Sequence, residues 1–282
     1  MWGALAACAT VASTGCGKPV IQARPGVLAQ APPYLYTDQD WALVLRDYVH
    51  NGLVDYDALS RNRDPLERYY ALLGVTGPTR TPDQFPSSNH ITAYWIDAYN
   101  ALVLLAVLQR YPVETMYDLS LPRPETEYAF QVDGRVMNLA AIEEEMLKAS
   151  GGDARVLLAT SRAAMGTPRL PGEPMRSASL ERQLSTAAAD ALGNSRLLRI
   201  DHSTRSIFVW QLILTREKDF VDYWRSRRRA QTGYLFNVLL DLASPERRRS
   251  LQSAVGYMFR PMPFDRALNK VPSAGGIRPQ VP

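Results

Sequence analysis

Asp97 and Asn100 stand three residues apart in the segment Tyr94-Trp95-Ile96-Asp97-Ala98-Tyr99-Asn100. On a helix that spacing puts a carboxylate and an amide nearly on one face. Two roles fit. In the first, Asp97 is an acid or base at the floor of a cleft, with Asn100 beside it as a binding group. In the second, both satisfy backbone groups of neighbouring loops, because neither can be buried unpaired among Trp95, Tyr99 and Leu102 without a large cost. The apolar setting favours the second. The remaining bases are three histidines, His50, His90 and His202. His50 precedes an Asn-Gly pair and His202 falls in a polar turn, so both are expected in solvent. His90 opens a helix and is the one candidate catalytic histidine. Cys8 and Cys16 are the only cysteines, so residues beyond them hold neither a thiol nucleophile nor a thiolate ligand. With three scattered histidines, no metal site and no cofactor are expected. Nothing has G-x-S-x-G, H-E-x-x-H, Walker or Rossmann spacing.

These residues need elements to position them. Ile91, Tyr94, Trp95, Ala98, Leu102, Leu105 and Ala106 recur at helical steps, and Tyr111-Pro112 stops the run. The spacing predicts a long core helix from Ser88 to Arg110. Before it, Thr37 with Asp40 resembles a capping box. Trp41, Val44, Leu45, Tyr48 and Val49 then form a face that Gly52 ends, and a second helix runs from Asp64-Pro65 to Gly74. After it, Tyr128 to Val132 alternates, Asp133-Gly134 turns, and Arg135 to Met137 returns. Asn138 caps a helix to Lys148. Further helices are read at Asp153–Arg162, Ser177–Leu192, Lys218–Ala230, Tyr234–Leu242 and Pro245–Val255. A second strand pair is read at Leu197–Ile200 and Ile207–Leu212. The fold class is α+β, mainly helical, a single domain with a long central helix and one or two small β-hairpins.

The 282 residues suit one large domain or two small ones. At 46 % apolar and 21 % charged, the composition is that of a chain with a core. No uninterrupted apolar stretch approaches the roughly 18 residues of a membrane span. A net charge of +4 is too small to argue for nucleic acid.

Leu5-Ala6-Ala7-Cys8 resembles a bacterial lipobox, and Cys16 after Ser13-Thr14-Gly15 is a poorer match. Both are candidate lipidation sites. No basic region and no full apolar run precede Cys8, so translation is expected to begin upstream of Met1. Ala9 to Pro33 then reads as a flexible tether, giving residues 1–33 as signal remnant and tether, 34–270 as the globular domain and 271–282 as a disordered tail.

Four segments in order resemble the family called domain of unknown function 547. Ala93 to Leu102 is similar to its W-I-N-x-Y-N-A-L helix, and Phe130 to Lys148 to its hairpin and following helix. Asp153-Ala154-Arg155 through Gly166-Thr167-Pro168-Arg169-Leu170 matches D-P-R-x-H-F-A-L and then G-C-P-x-L. Asp219-Phe220 and Phe264 to Asn269 match its closing motifs. The family's two histidines fall on Glu144 and Leu157, its cysteine on Thr167 and its asparagine on Asp97. The resemblance implies a shared, often exported fold and excludes thiol–imidazole chemistry here. Ser161 and Thr167 are the hydroxyls nearest the G-C-P region and the candidate nucleophiles, provided that a base reaches them. Arg155 and Asp265 are candidate binding residues, and Arg155 is expected to pair with Glu143, Glu144 or Glu145.

Arg225, Arg227, Arg228 and Arg229, then Arg247, Arg248 and Arg249, form two basic clusters. They are expected on solvated helix faces, with anionic lipid headgroups as the sharper alternative. Together these readings describe a cell-envelope lipoprotein acting as a binding or assembly module. Its partners are the membrane, through the N-terminal lipid, and anionic headgroups or another envelope protein, not nucleic acid. The alternative is a hydrolase or transferase in which Asp97 or His90 activates a hydroxyl.

Overall fold

A computed structural model of the chain describes residues 19–28, 33–117 and 124–272. Cys8, Cys16 and the tail from residue 273 lie outside the described residues.

Strand β1 (Val20–Ile21) comes first, then α1 (Gln39–Tyr48), the hairpin β2 (Val49–His50) and β3 (Leu53–Val54), α2 (Tyr56–Arg61) and α3 (Asp64–Val75). The long helix α4 (Ser88–Arg110) has the bounds read from its sequence period. After α5 (Pro124–Glu127) come β4 (Ala129–Val132), β5 (Arg135–Met137) and α6 (Leu139–Ala149). The second half holds α7 (Leu180–Gly193), β6 (Leu198–Asp201), β7 (Ser206–Val209), α8 (Gln211–Thr215), α9 (Glu217–Arg228), α10 (Leu235–Leu242), α11 (Pro245–Gln252) and β8 (Met258–Pro261). This is a mainly helical α+β fold.

Helix α4 is buried on every side from Thr92 to Leu108. It is long and apolar enough to cross a bilayer, yet 94 % of its apolar window is packed inside the protein. A helix apolar all round needs such enclosure. Helix α6 lies along it, α1 and α3 pack together beside it, and α7 packs on the segment Ala154–Leu158 with α10 against it.

Each antiparallel pair is small, and two gain a parallel third strand: β1 beside β4, and β8 beside β7. The fold therefore has three hairpins among the described residues, more than the sequence pattern indicates. The one overlooked is β2–β3. Its Asn51-Gly52 turn has both residues at positive φ, 53° and 79°, as a two-residue hairpin requires. The helical period runs on through Val49, so Gly52 reads as a helix stop.

Three further expectations are corrected. Residues 19–28 are not a free tether. Ala129 N–H donates to Pro19 O at 3.0 Å, Tyr70 OH donates to Ile21 O, and Arg24 pairs with Asp64 at 2.7 Å. Asp153–Arg162 is no α-helix but a short 3₁₀ turn, Ala154–Leu158, whose N-cap Asp153 accepts from Arg155 N–H. The strand expected to reach Leu212 ends at Val209, and Trp210 turns the chain into α8.

Candidate functional site

Helix α4 carries Asp97 and Asn100 into the interior, where each reaches a different loop. The Asp97 carboxylate accepts from Met175 N–H (3.1 Å to Oδ1, 3.0 Å to Oδ2) and from Trp41 Nε1–H at 3.1 Å. Burial pushes its carboxyl well above the ordinary aspartate range. The Asp38 charge adds to that rise, while the two donated hydrogen bonds and Arg176 oppose it. Asn100 donates to Ala159 O at 3.1 Å and accepts from Ser161 N–H at 2.9 Å. Both side chains thus bond to loop backbone.

The family-motif hydroxyls are spent in the same way. Asn269 Nδ2–H donates to Ser161 Oγ at 3.3 Å, and Asn269 accepts from Tyr56 OH at 2.8 Å. Thr167 donates to Ala164 O at 2.8 Å and accepts from Arg162 N–H at 3.3 Å. Ser161 and Thr167 are each only 2 % exposed, so neither is open to a substrate. Asp265 accepts Gly166 N–H through its carbonyl at 2.9 Å, but its carboxylate faces outward to Arg196 at 3.2 Å. Glu144 pairs with Arg216, and Leu157 is core. His90 reaches neither Ser161 nor Thr167. Its ring lies between Ser87 Oγ, 2.8 Å from Nδ1, and Ser177 Oγ, 3.0 Å from Nε2.

Arg155 does not pair with Glu143, Glu144 or Glu145. Its guanidinium takes Asp153 on one edge (2.7 Å) and Glu181 on the other (2.7 and 2.9 Å), with Ser185 Oγ at 2.9 Å. All five N–H donors are used. Glu143 instead pairs with Arg162 and with Arg216. The local Asp153 cap turns Arg155 toward α7, away from α6.

The sequence candidates therefore do not line one cleft. What they hold in place is a cavity of about 310 Å³ between the β2–β3 turn, the 169–175 loop and α7. Buried Leu158, Leu170 and Met175 floor it, and Arg169, Glu173, Arg182 and Asp190 ring it. Met175 is fixed from behind by Asp97. Gln183, itself buried, ties the same loop by donating to Pro174 O at 2.9 Å and accepting Arg176 N–H at 2.9 Å. Leu158 precedes Ala159, which Asn100 holds. An apolar floor with a few polar rim groups and fixed walls suits a small-molecule site. Sequence reasoning missed Arg169, Arg182, Glu173 and Gln183. The one available signal was the Gly166–Leu170 motif, which leads into the pocket wall.

A wider groove of about 640 Å³ shares Arg169, Arg182, Thr186 and Asp190 with this pocket. A third cavity, about 350 Å³, lies over Arg155, Tyr223 and Arg227. Among the described residues no three His, Cys, Asp or Glu side chains gather as a metal site.

The family model described as "Protein of unknown function, DUF547" matches residues 83–191. That span runs from just before α4 into the last turn of α7 and includes every pocket-lining residue except Asn51 and Gly52. No curated protein and no solved structure gives a significant match. Through this span, which carries the α4 helix, the hairpin and the pocket wall, the chain is similar to the DUF547 family.

Proposed function

We propose that this protein is a ligand-binding module of the bacterial cell envelope, tethered to the membrane by lipid on Cys8 or Cys16. The observation that carries the binding part is the division of labour around α4. The motif's polar side chains are sealed in backbone hydrogen bonds, and those bonds brace a pocket with an apolar floor. A catalytic site among the motif residues would instead set a base beside an open hydroxyl, and Ser161 and Thr167 are both buried with no base among their hydrogen-bond partners. Arg225, Arg227 and Arg228 pair with Asp222, Glu181 and Asp241, so a second contact, with anionic headgroups or an envelope partner, would fall to exposed Arg229 and to whatever charge those pairs leave open.

The test is a methyl NMR titration of the full chain with a small neutral apolar probe, isoamyl alcohol. Saturable shifts at Leu158, Leu170 and Met175 support the pocket reading, and shifts confined to other methyls overturn it.

One observation favours a second reading. Ser177 Oγ lies 3.0 Å from His90 Nε2, within reach for hydroxyl activation. A hydrolase or transferase would then use Ser177, not Ser161 or Thr167. Labelling by a fluorophosphonate that Ser177→Ala abolishes would favour it, and an unlabelled wild-type chain ends it.

A further inference from the structure

The charges on the pocket rim select a class of ligand, an inference that rests on the binding-module reading. Arg169 and Asp190 pair with each other at 3.2 Å and so offset one another. Arg182, on α7, makes no ion pair or hydrogen bond among the described residues. Glu173, on the facing loop, has no cationic partner among them and meets only the Gln183 amide at 3.3 Å. The rim therefore presents one open cation, from α7, and one open anion, from the 169–175 loop, above the apolar floor.

A purely anionic ligand would satisfy Arg182 and meet repulsion from Glu173. A purely cationic one would do the reverse. We propose that the pocket takes a zwitterion with a short apolar body, an apolar amino acid or a dipeptide. Its carboxylate lies on Arg182, its ammonium on Glu173 and its side chain on Leu158, Leu170 and Met175. The cavity, about 310 Å³, is at the small end for ligand sites and suits a ligand of this size. The floor supplies apolar burial. The two exposed charges supply discrimination more than affinity.

The experiment is calorimetric titration of the full chain with Leu-Leu, N-acetyl-Leu-Leu and Leu-Leu amide. Leu-Leu is expected to bind about fivefold tighter than either capped form, the factor an exposed ion pair supports. Arg182→Ser should erase its advantage over the amide, and Glu173→Gln its advantage over the acetylated form. Both positions are on the surface rim, so the variants test binding and not folding. Equal binding of free and capped forms, or preferences unchanged in the variants, overturns the zwitterion assignment. If isoamyl alcohol still shifts the pocket methyls in that case, the binding-module reading survives. If nothing shifts them, both fall.

Discussion

Asp97 is held by two donors in a site that disfavours its charge, and this gives it a pH signature. In the unfolded chain it ionises near the ordinary value, about 3.9. In the folded chain burial keeps the proton on to higher pH. Its contribution to stability is then complete below about pH 4 and is lost as pH rises toward the folded pKa. Asp97→Asn keeps an acceptor for Met175 and Trp41 but cannot ionise. Urea melts from pH 4 to 8 should show a flatter stability profile for this variant than for the wild type, with the gap widening toward high pH. A parallel pair of profiles would mean that Asp97 is charged and solvated in the fold. The residue is legible in the sequence as a buried carboxylate in need of partners. Which partners it finds is not, because Met175 lies 78 positions away and approaches through a turn with no period of its own.

Elements also divide the arginines, which read as two similar basic runs. Arg225, Arg227 and Arg228 are ion-paired to acidic side chains, whereas two of the three on α11 cap backbone carbonyls. Arg247 donates to Gly193 O at 2.8 Å and Arg248 to Leu240 O at 2.7 Å, so they cover carbonyls left open at the ends of α7 and α10. Arg249 makes no hydrogen bond or ion pair among the described residues. Arg248→Ala should therefore cost about 1 kcal/mol in urea melts, while Arg249→Ala changes stability by less than about 0.5 kcal/mol. Equal losses would return both to a plain solvated face. A tertiary cap of this kind leaves no trace in composition, whereas a periodic element such as α4 does. Ser88 and Arg110 bound seven apolar residues at helical steps, and α4 begins and ends where they do. Short strands fare worse. β1 and β8 have four residues or fewer and exist because a parallel neighbour offers its edge, which no local pattern announces.

Across the whole molecule, the pocket depends on parts far apart in the chain. Gly52 shows this. At φ +79° it favours glycine, and a Cβ there would lie 2.5 Å from Arg169 Cβ on the pocket rim. Gly52→Ala should lower stability by about 1–2 kcal/mol and also weaken isoamyl alcohol binding, as read by melts and by the methyl titration. A loss of stability with unchanged binding would detach the hairpin from the pocket. Sequence resemblance located the wall at Gly166–Leu170, but the opposing Gly52 and Arg182 come from segments that carry no motif.

The claim on which the account rests is that a buried carboxylate on α4 holds the pocket wall. Amide hydrogen exchange at Met175, followed with probe binding in the wild type, Asp97→Asn and Asp97→Ala, tests it most directly. The asparagine variant should keep Met175 protected and the probe bound. In the alanine variant protection should fall at least about tenfold, as expected for an interaction near 1.4 kcal/mol, and probe affinity should fall with it. Unchanged protection at Met175 in Asp97→Ala, or lost protection with full binding, would contradict it.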